Sequence, residues 1–351
     1  MKKIIFATLA AAALVACAKE EPIALNQEAI GFTNAFVDGS VRSVDPSTTE
    51  ANLVGFQVYG TTLGDHNGAY TVNIFNNIAV GHHISEGIGV DGWKYATNFV
   101  QYWIAGNTYN FAAVANAADN AVTVDETPQS ATIGMPVSIA YDATTQKDLL
   151  YAEYNNVVGK VSGNDPIAFT FNHLLSKVKF TFKNLSATGD GTSKYTYKVT
   201  GIKVYNVRKT AVCNVANYNA DTQAYSWPTN AADTKYDSVG NAILFGDIVA
   251  SDVTTVGNET PAAIKVGPSS QGASLYERLL IPGKYTDLTI ECRIELLIGD
   301  DVVDVIEYKN PISVGLEGGQ AFNFVLTGKV GEPIQFTVNK INDWTLNESD
   351  L

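Results

Sequence analysis

Basic side chains are in short supply: Lys and Arg number 23 against 36 Asp and Glu, giving a formal charge of -13 over 351 residues. That acidity works against nucleic acid or an anionic bilayer as a partner. Cysteine is scarcer still, with 3 residues. Long stretches of helical periodicity are absent, which argues against a helical bundle. No G-x-S-x-G, H-E-x-x-H or P-loop occurs, so the common hydrolase, metalloprotease and nucleotide chemistries have no local signature, and the chain reads as a protein that is not an enzyme and holds no cofactor. What remains is a chain with 46% hydrophobic residues, 17 Tyr, 15 Phe and 29 Gly. Together with frequent Thr and Val, this composition describes strands joined by turns: an all-β protein with length enough for two domains.

The N-terminus is built as a leader. Residues 1–16 carry Lys2 and Lys3 ahead of a short apolar run, the pattern of a signal peptide rather than a lasting span. Leu14-Val15-Ala16-Cys17 resembles a bacterial lipobox, which makes Cys17 the expected site of lipidation. Acyl chains on that thiol add ~0.8 kcal/mol per buried methylene and hold a protein to a membrane without a transmembrane helix. Residues 17–28 then form a tether, in which Ala18-Lys19-Glu20-Glu21 resembles the acidic export signal of Bacteroidetes surface lipoproteins; the other reading is a plain solvated tether. With Cys17 assigned, Cys213 and Cys292 are left as a possible pair, although Cys292 shares an apolar strand face, where simple burial is the default reading.

Residues 30–59 organise the rest. Ile30, Phe32 and Phe36 recur with a period of two, the mark of a strand with one buried side. A polar stretch with Pro46 follows, holding Arg42, the only arginine before Arg208. Val54, Phe56 and Val58 then resume the alternation. One basic cleavage point, Arg42-Ser43, therefore separates a first strand over 29–42 from everything after it. Gly159 to Pro166 gathers glycine, proline and polar residues and marks the expected boundary between a sandwich over 29–160 and another over 161–351. The second unit is expected to open with Ile167, Phe169 and Phe171, followed by Val178, Phe180 and Phe182 facing a core while Lys177, Lys179, Thr181 and Lys183 face solvent. The apolar phase slips at Gly201, which predicts a bulge, and Gly299-Asp-Asp predicts a hairpin turn.

Weak motifs are set aside on context. Gly87-Ile-Gly-Val-Asp-Gly92 matches a dinucleotide fingerprint only in letters, with no βαβ unit around it, and reads as a turn. His82, His83 and Glu86 suit a polar loop better than a metal site, and no metal is expected.

Asp148-Leu-Leu-Tyr-Ala-Glu153 and Ile167 to Phe182 resemble the middle segment of Bacteroidetes fimbrillin-like proteins. Tyr102-Trp-Ile, Tyr109 to Val114, Gly318-Gly-Gln-Ala-Phe-Asn-Phe and Ile341-Asn-Asp-Trp344 are similar to its other segments, in the same order. The resemblance implies two tandem transthyretin-like β-sandwich domains, a lipoprotein of the cell outer membrane exposed at the surface, and assembly into a fimbrium used in adhesion. It further implies an arginine-specific surface protease that removes the first strand, and a neighbouring copy or related subunit whose C-terminal strand fills the groove. Arg42-Ser43 matches the family's cleavage position, with Ser43 where alanine is common. Ile334, Phe336 and Val338, on one face of a strand near the chain end, are the candidate donor residues; they equally suit a fixed strand. The other functional reading is a lipid-anchored surface binder of glycan or host protein that never polymerises.

Overall fold

The structure, a computed structural model, describes residues 28–33, 36–37, 53–65, 69–90, 92–186, 195–219, 224–237, 241–248, 266–267 and 277–341. Its strands in chain order are β1 (Phe36–Val37), β2 (Gly55–Asp65), β3 (Ala69–Gly81), β4 (Ile88–Val90), β5 (Trp93–Tyr95), β6 (Thr108–Ala115), β7 (Val122–Val124), β8 (Pro136–Asp142), β9 (Leu150–Val158) and β10 (Thr170–His173). There follow β11 (Ser176–Asn184), β12 (Tyr195–Tyr205), β13 (Thr210–Asn219), β14 (Ala224–Ser226), β15 (Ile243–Ile248) and β16 (Val266–Gly267). The last are β17 (Glu277–Leu280), β18 (Gly283–Ile298), β19 (Asp301–Leu316), β20 (Ala321–Gly328) and β21 (Gln335–Ile341). Helical structure is confined to short 3-10 turns such as 97–99 and 143–145 among the described residues, so the fold is all-β as expected.

The largest sheet runs β1-β10-β9-β6-β2-β3-β5-β4. Its central strand β6 buries both faces. In β6, Tyr109, Phe111 and Ala113 point into an aromatic core, while Ala112 and Val114 point into a second core on the other side. Such two-sided burial is what a central strand requires, and it explains why β6 reads as a nearly unbroken apolar run. The second core is shared with the sheet β14-β13-β8-β7 through Ile139, Tyr141, Cys213 and Val215. It continues into the two sheets of the C-terminal half, β17-β11-β20-β21 and β16-β15-β12-β18-β19, through Phe180, Val204, Ile290 and Phe324.

Sheet membership does not follow the loop at residues 159–166. Strand β10 pairs antiparallel with β9, and Ile167, Phe169 and Phe171 lie in the aromatic core of the first half. Later in the chain, β13 returns to pair with β8, from Thr210 opposite Asp142 to Asn214 opposite Ser138. A cluster of Gly, Pro and polar residues marks a surface loop, but it carries no information about which sheet the next strand will join. The hydrogen-bonded sheets are therefore not divided at residues 159–166.

A second departure concerns β11. Lys177 is 0% exposed and Thr181 1%, so the side expected to face water is covered at these two positions, while Lys179 and Lys183 stay partly exposed. Lys177 pairs with Glu277 at 3.4 Å, and the Thr181 hydroxyl donates to Asn323 Oδ1 at 2.8 Å. Between β17 and β20 the strand is interior, and its alternating polar residues serve the sheet rather than the solvent. The stretch Gly87–Gly92, read as a turn, instead carries β4, paired with β5, whereas the expected bulge is present: the β12–β18 register shifts between Thr200 and Lys203, with Gly201 at φ 65. Gly299 at φ 61 starts the β18–β19 turn, with Ile298 opposite Asp301.

Candidate functional site

The first segment of the described chain fills a slot in the aromatic core. Residues 28–33 run between two stretches of backbone and bond to both. On one side Ile30 N donates to Gln101 O at 2.8 Å and Trp103 N to Glu28 O at 3.0 Å, an antiparallel pair. On the other, Ile167 N donates to Gly31 O at 2.9 Å and Thr33 N to Ile167 O at 3.0 Å, with Phe32 in a parallel bridge to Ile167. Phe36 and Val37 prolong the parallel pairing opposite Thr170 and Phe171. Neither edge of the segment is free along 28–33, so its departure would expose two rows of unpaired backbone groups.

Side chains seal the slot. Ile30 and Phe32 are each 0% exposed. Phe32 meets Phe75, Tyr95 and Phe111 edge-on at 5.6, 5.6 and 6.3 Å between centroids, and stacks on Phe169 at 6.0 Å. Edge-on contacts match the positive rim of one ring to the negative face of another. The Tyr95 hydroxyl donates to the Ile30 carbonyl at 2.7 Å, and burial pushes that phenol up to about 12. At the mouth, Glu28 Oε2 accepts from Asn164 N at 2.8 Å and Asn164 Nδ2 at 2.9 Å. The Asn164 backbone bond, then its side-chain bond, hold the Glu28 carboxyl below its ordinary range.

Of the residues singled out in the sequence, Ile30 and Phe32 come together here, and Phe36 contributes backbone pairing. Cys17, Arg42 and Ser43 lie outside the described residues. Ile334, Phe336 and Val338 sit far along the chain on the other core: β21 forms the outer strand of its sheet and pairs with β20 from Gln335 opposite Thr327 to Ile341 opposite Ala321. All three are partly buried there, with Phe336 edge-on to Phe324 at 5.5 Å. Cys213 and Cys292 are both free and buried, in β13 and β18. His82 packs on Trp93 at 4.1 Å, and His173 Nδ1 lies 2.8 Å from Asp148 Oδ2 in a buried pair. Among the described residues, no three His, Cys, Asp or Glu side chains gather as a metal site would need. Sequence reasoning set Tyr102-Trp-Ile beside a family segment but did not find the roles of Tyr95, Gln101 and Trp103 in holding the first segment; the run of aromatics at Trp93-Lys-Tyr95 and Tyr102-Trp103 was the available signal.

The slot brings together backbone pairing and ring contacts. Its chemistry is that of strand pairing, and it defines an all-β structural protein whose first segment completes a core laid down by later strands. A family model described as fimbrillin-like matches residues 42–344. The chain belongs to that family and is a structural, fimbrial protein of the cell surface rather than an enzyme. Among solved structures it is similar to a fimbrial protein from Bacteroides vulgatus at 16% identity and TM-score 0.54, covering 90% of this chain and 99% of that one. It is also similar to a candidate cell adhesion protein from Bacteroides ovatus at 16% identity and TM-score 0.49, covering 92% and 99%. A fimbrial assembly protein from Parabacteroides distasonis aligns at 13% identity and TM-score 0.40, covering 81% and 88%. No curated protein matches.

Proposed function

We propose that this chain is a fimbrial subunit supporting adhesion, exported as a lipoprotein through Cys17 and assembled by exchange of its first strand. An arginine-specific surface protease cuts between Arg42 and Ser43, the segment ending at Arg42 leaves, and a strand of another copy or a related subunit takes the slot. The observation that carries this reading is the double-edged pairing of residues 28–33 around a wholly buried Phe32. Withdrawing Ile30 and Phe32 costs ~1.5 to 3 kcal/mol per side chain. The orphaned backbone groups add ~1 to 3 kcal/mol each. Against a typical domain stability of about 5 to 15 kcal/mol, an empty slot is a strong drive to capture a replacement. A strand with apolar residues at alternate positions meets both demands. The match to the fimbrillin-like family opens at residue 42, the position of the proposed cut.

Ile334, Phe336 and Val338 offer such alternation, and β21 is an outer strand from which release is least costly. Its complete register with β20 and the Phe324–Phe336 contact favour the second reading, in which β21 stays in place and the protein acts as an unpolymerised, lipid-anchored surface binder. The two separate on one experiment. The secreted precursor is treated with an arginine-specific protease, and its oligomers are followed on denaturing gels beside an Arg42→Ala variant. Ladders from the parent and none from the variant support exchange. A cleaved parent that stays monomeric, or a variant that polymerises equally, overturns it.

A further inference from the structure

We propose that a cleft on the second-core side of the large sheet is a binding site for a neutral carbohydrate. The cleft has a volume of about 460 Å3, within the roughly 300 to 1,000 Å3 of small-molecule sites. Its walls carry Gln57, Asn76, Asn77, Asp119, Asn120 and Phe99. The proposal is independent of strand exchange, because Tyr59, at the base of the cleft, belongs to the second core and not to the aromatic core that holds Phe32.

The backbone is shaped to present these groups. Val58 pairs with Ile78 and Gly60 with Phe75, so Asn76 and Asn77 together oppose Tyr59 alone. That is a bulge. Consecutive residues of a regular strand point to opposite faces, whereas here both asparagines line one cleft. Asn77 takes φ 56 to do so, and Asn120, on the facing loop, takes φ 58. Tyr59 donates its hydroxyl to Asn77 Oδ1 at 3.1 Å, which fixes the amide, whose Nδ2 carries two further donors.

The chemistry selects the ligand. No Lys, Arg or His lines the cleft, and the chain carries a net charge of -13, so phosphate, sulfate and acidic sugars find no counter-charge. Side-chain amides both donate and accept, and a carboxylate accepts, which together suit adjacent hydroxyls that each do both. Phe99, 44% exposed at the rim, offers a ring face to the apolar C–H side of a pyranose. The rest of the lining is small and apolar, with Ile78, Ala117, Ala118, Ala121, Val122 and Val124, so amides and apolar wall alternate as the hydroxyl and C–H faces of a hexose do.

The test uses the full chain and methyl glycosides of β-galactose, β-glucose and α-mannose, titrated by saturation-transfer NMR. Saturable binding to at least one is expected, with Kd on the order of 1 mM. Asn77→Gly and Asn120→Gly remove an amide while keeping a residue that accepts positive φ. These variants and Phe99→Ala are expected to weaken binding by about tenfold, whereas Tyr154→Ala, an exposed ring on β9, leaves it unchanged. Failure of all three glycosides to give a saturable signal overturns the proposal. So does equal loss in Tyr154→Ala, or unchanged binding in the three cleft variants.

Discussion

The Tyr95 hydroxyl reaches the carbonyl of Ile30, 65 residues earlier in the chain, at 2.7 Å in a buried setting. Contacts this distant in sequence decide whether the first segment stays in its slot. Tyr95→Phe removes the donor and leaves the carbonyl buried without it, a loss of ~1 to 3 kcal/mol. The unprocessed variant should melt several degrees below the parent by circular dichroism. An unchanged midpoint would mean that the hydroxyl does not hold the segment.

Phe32→Ala tests the ring cluster directly. Truncating a buried phenylalanine typically costs ~3 to 5 kcal/mol, and here four aromatic partners lose their neighbour at once. The uncut variant should release the first segment without proteolysis at Arg42, read as a lower melting midpoint and faster amide hydrogen exchange over residues 28–33 than in the uncut parent.

Glu28 gives the same segment a pH dependence. Its folded pKa is lowered by the Asn164 hydrogen bonds, so its contribution is present above the ordinary carboxylate pKa and is lost as pH falls through the folded value. Glu28→Gln imitates the protonated form. The parent should melt above the variant at pH 7, and the gap should close at a pH below the folded pKa. A gap independent of pH would show that charge at Glu28 plays no part.

Much of the slot could be read from the chain. Period two at Ile30 and Phe32 anticipated their burial, and the phase slip at Gly201 anticipated a bulge because a shift in side-chain parity has few other causes. Sheet membership was less legible. Ala211, Cys213 and Val215 alternate as a strand should, and all three are buried, yet sequence reading passed over β13. Nothing local tells that strand to pair with β8. The same holds for the Asn164 bonds to Glu28, which join residues 136 apart. Periodicity reports which side of a strand is apolar; partner choice is set by loop paths and competing edges that no short window contains.

The free thiols offer a check on packing. Burial raises the pKa of Cys213, and burial with the nearby Glu291 and Glu307 charges pushes Cys292 up to about 12. Thiolate is the reactive form, so both should stay inert at pH 8. In a Cys17→Ser chain, a disulfide-exchange reagent should titrate neither cysteine in the native state and both after denaturation. Prompt native labelling would place at least one of them at the surface.

Lys177 is the sharpest departure from the binary pattern, and its ion pair can be dissected. Removing one partner of a buried pair strands the other, typically costing ~3 to 5 kcal/mol, whereas replacing both with apolar groups is often neutral. Burial raises the pKa of Glu277, with Lys177 pulling it back. In Lys177→Met that restraint goes and the carboxyl rises further. An acid whose folded pKa is raised contributes fully below its unfolded value and loses that contribution as pH climbs through the folded one. The single variant should therefore fall furthest behind the parent at high pH and recover as pH drops below the folded pKa, when melting is followed across that range. Lys177→Met combined with Glu277→Leu should melt near the parent at both ends, since the charge that made the single variant sensitive to pH is no longer there.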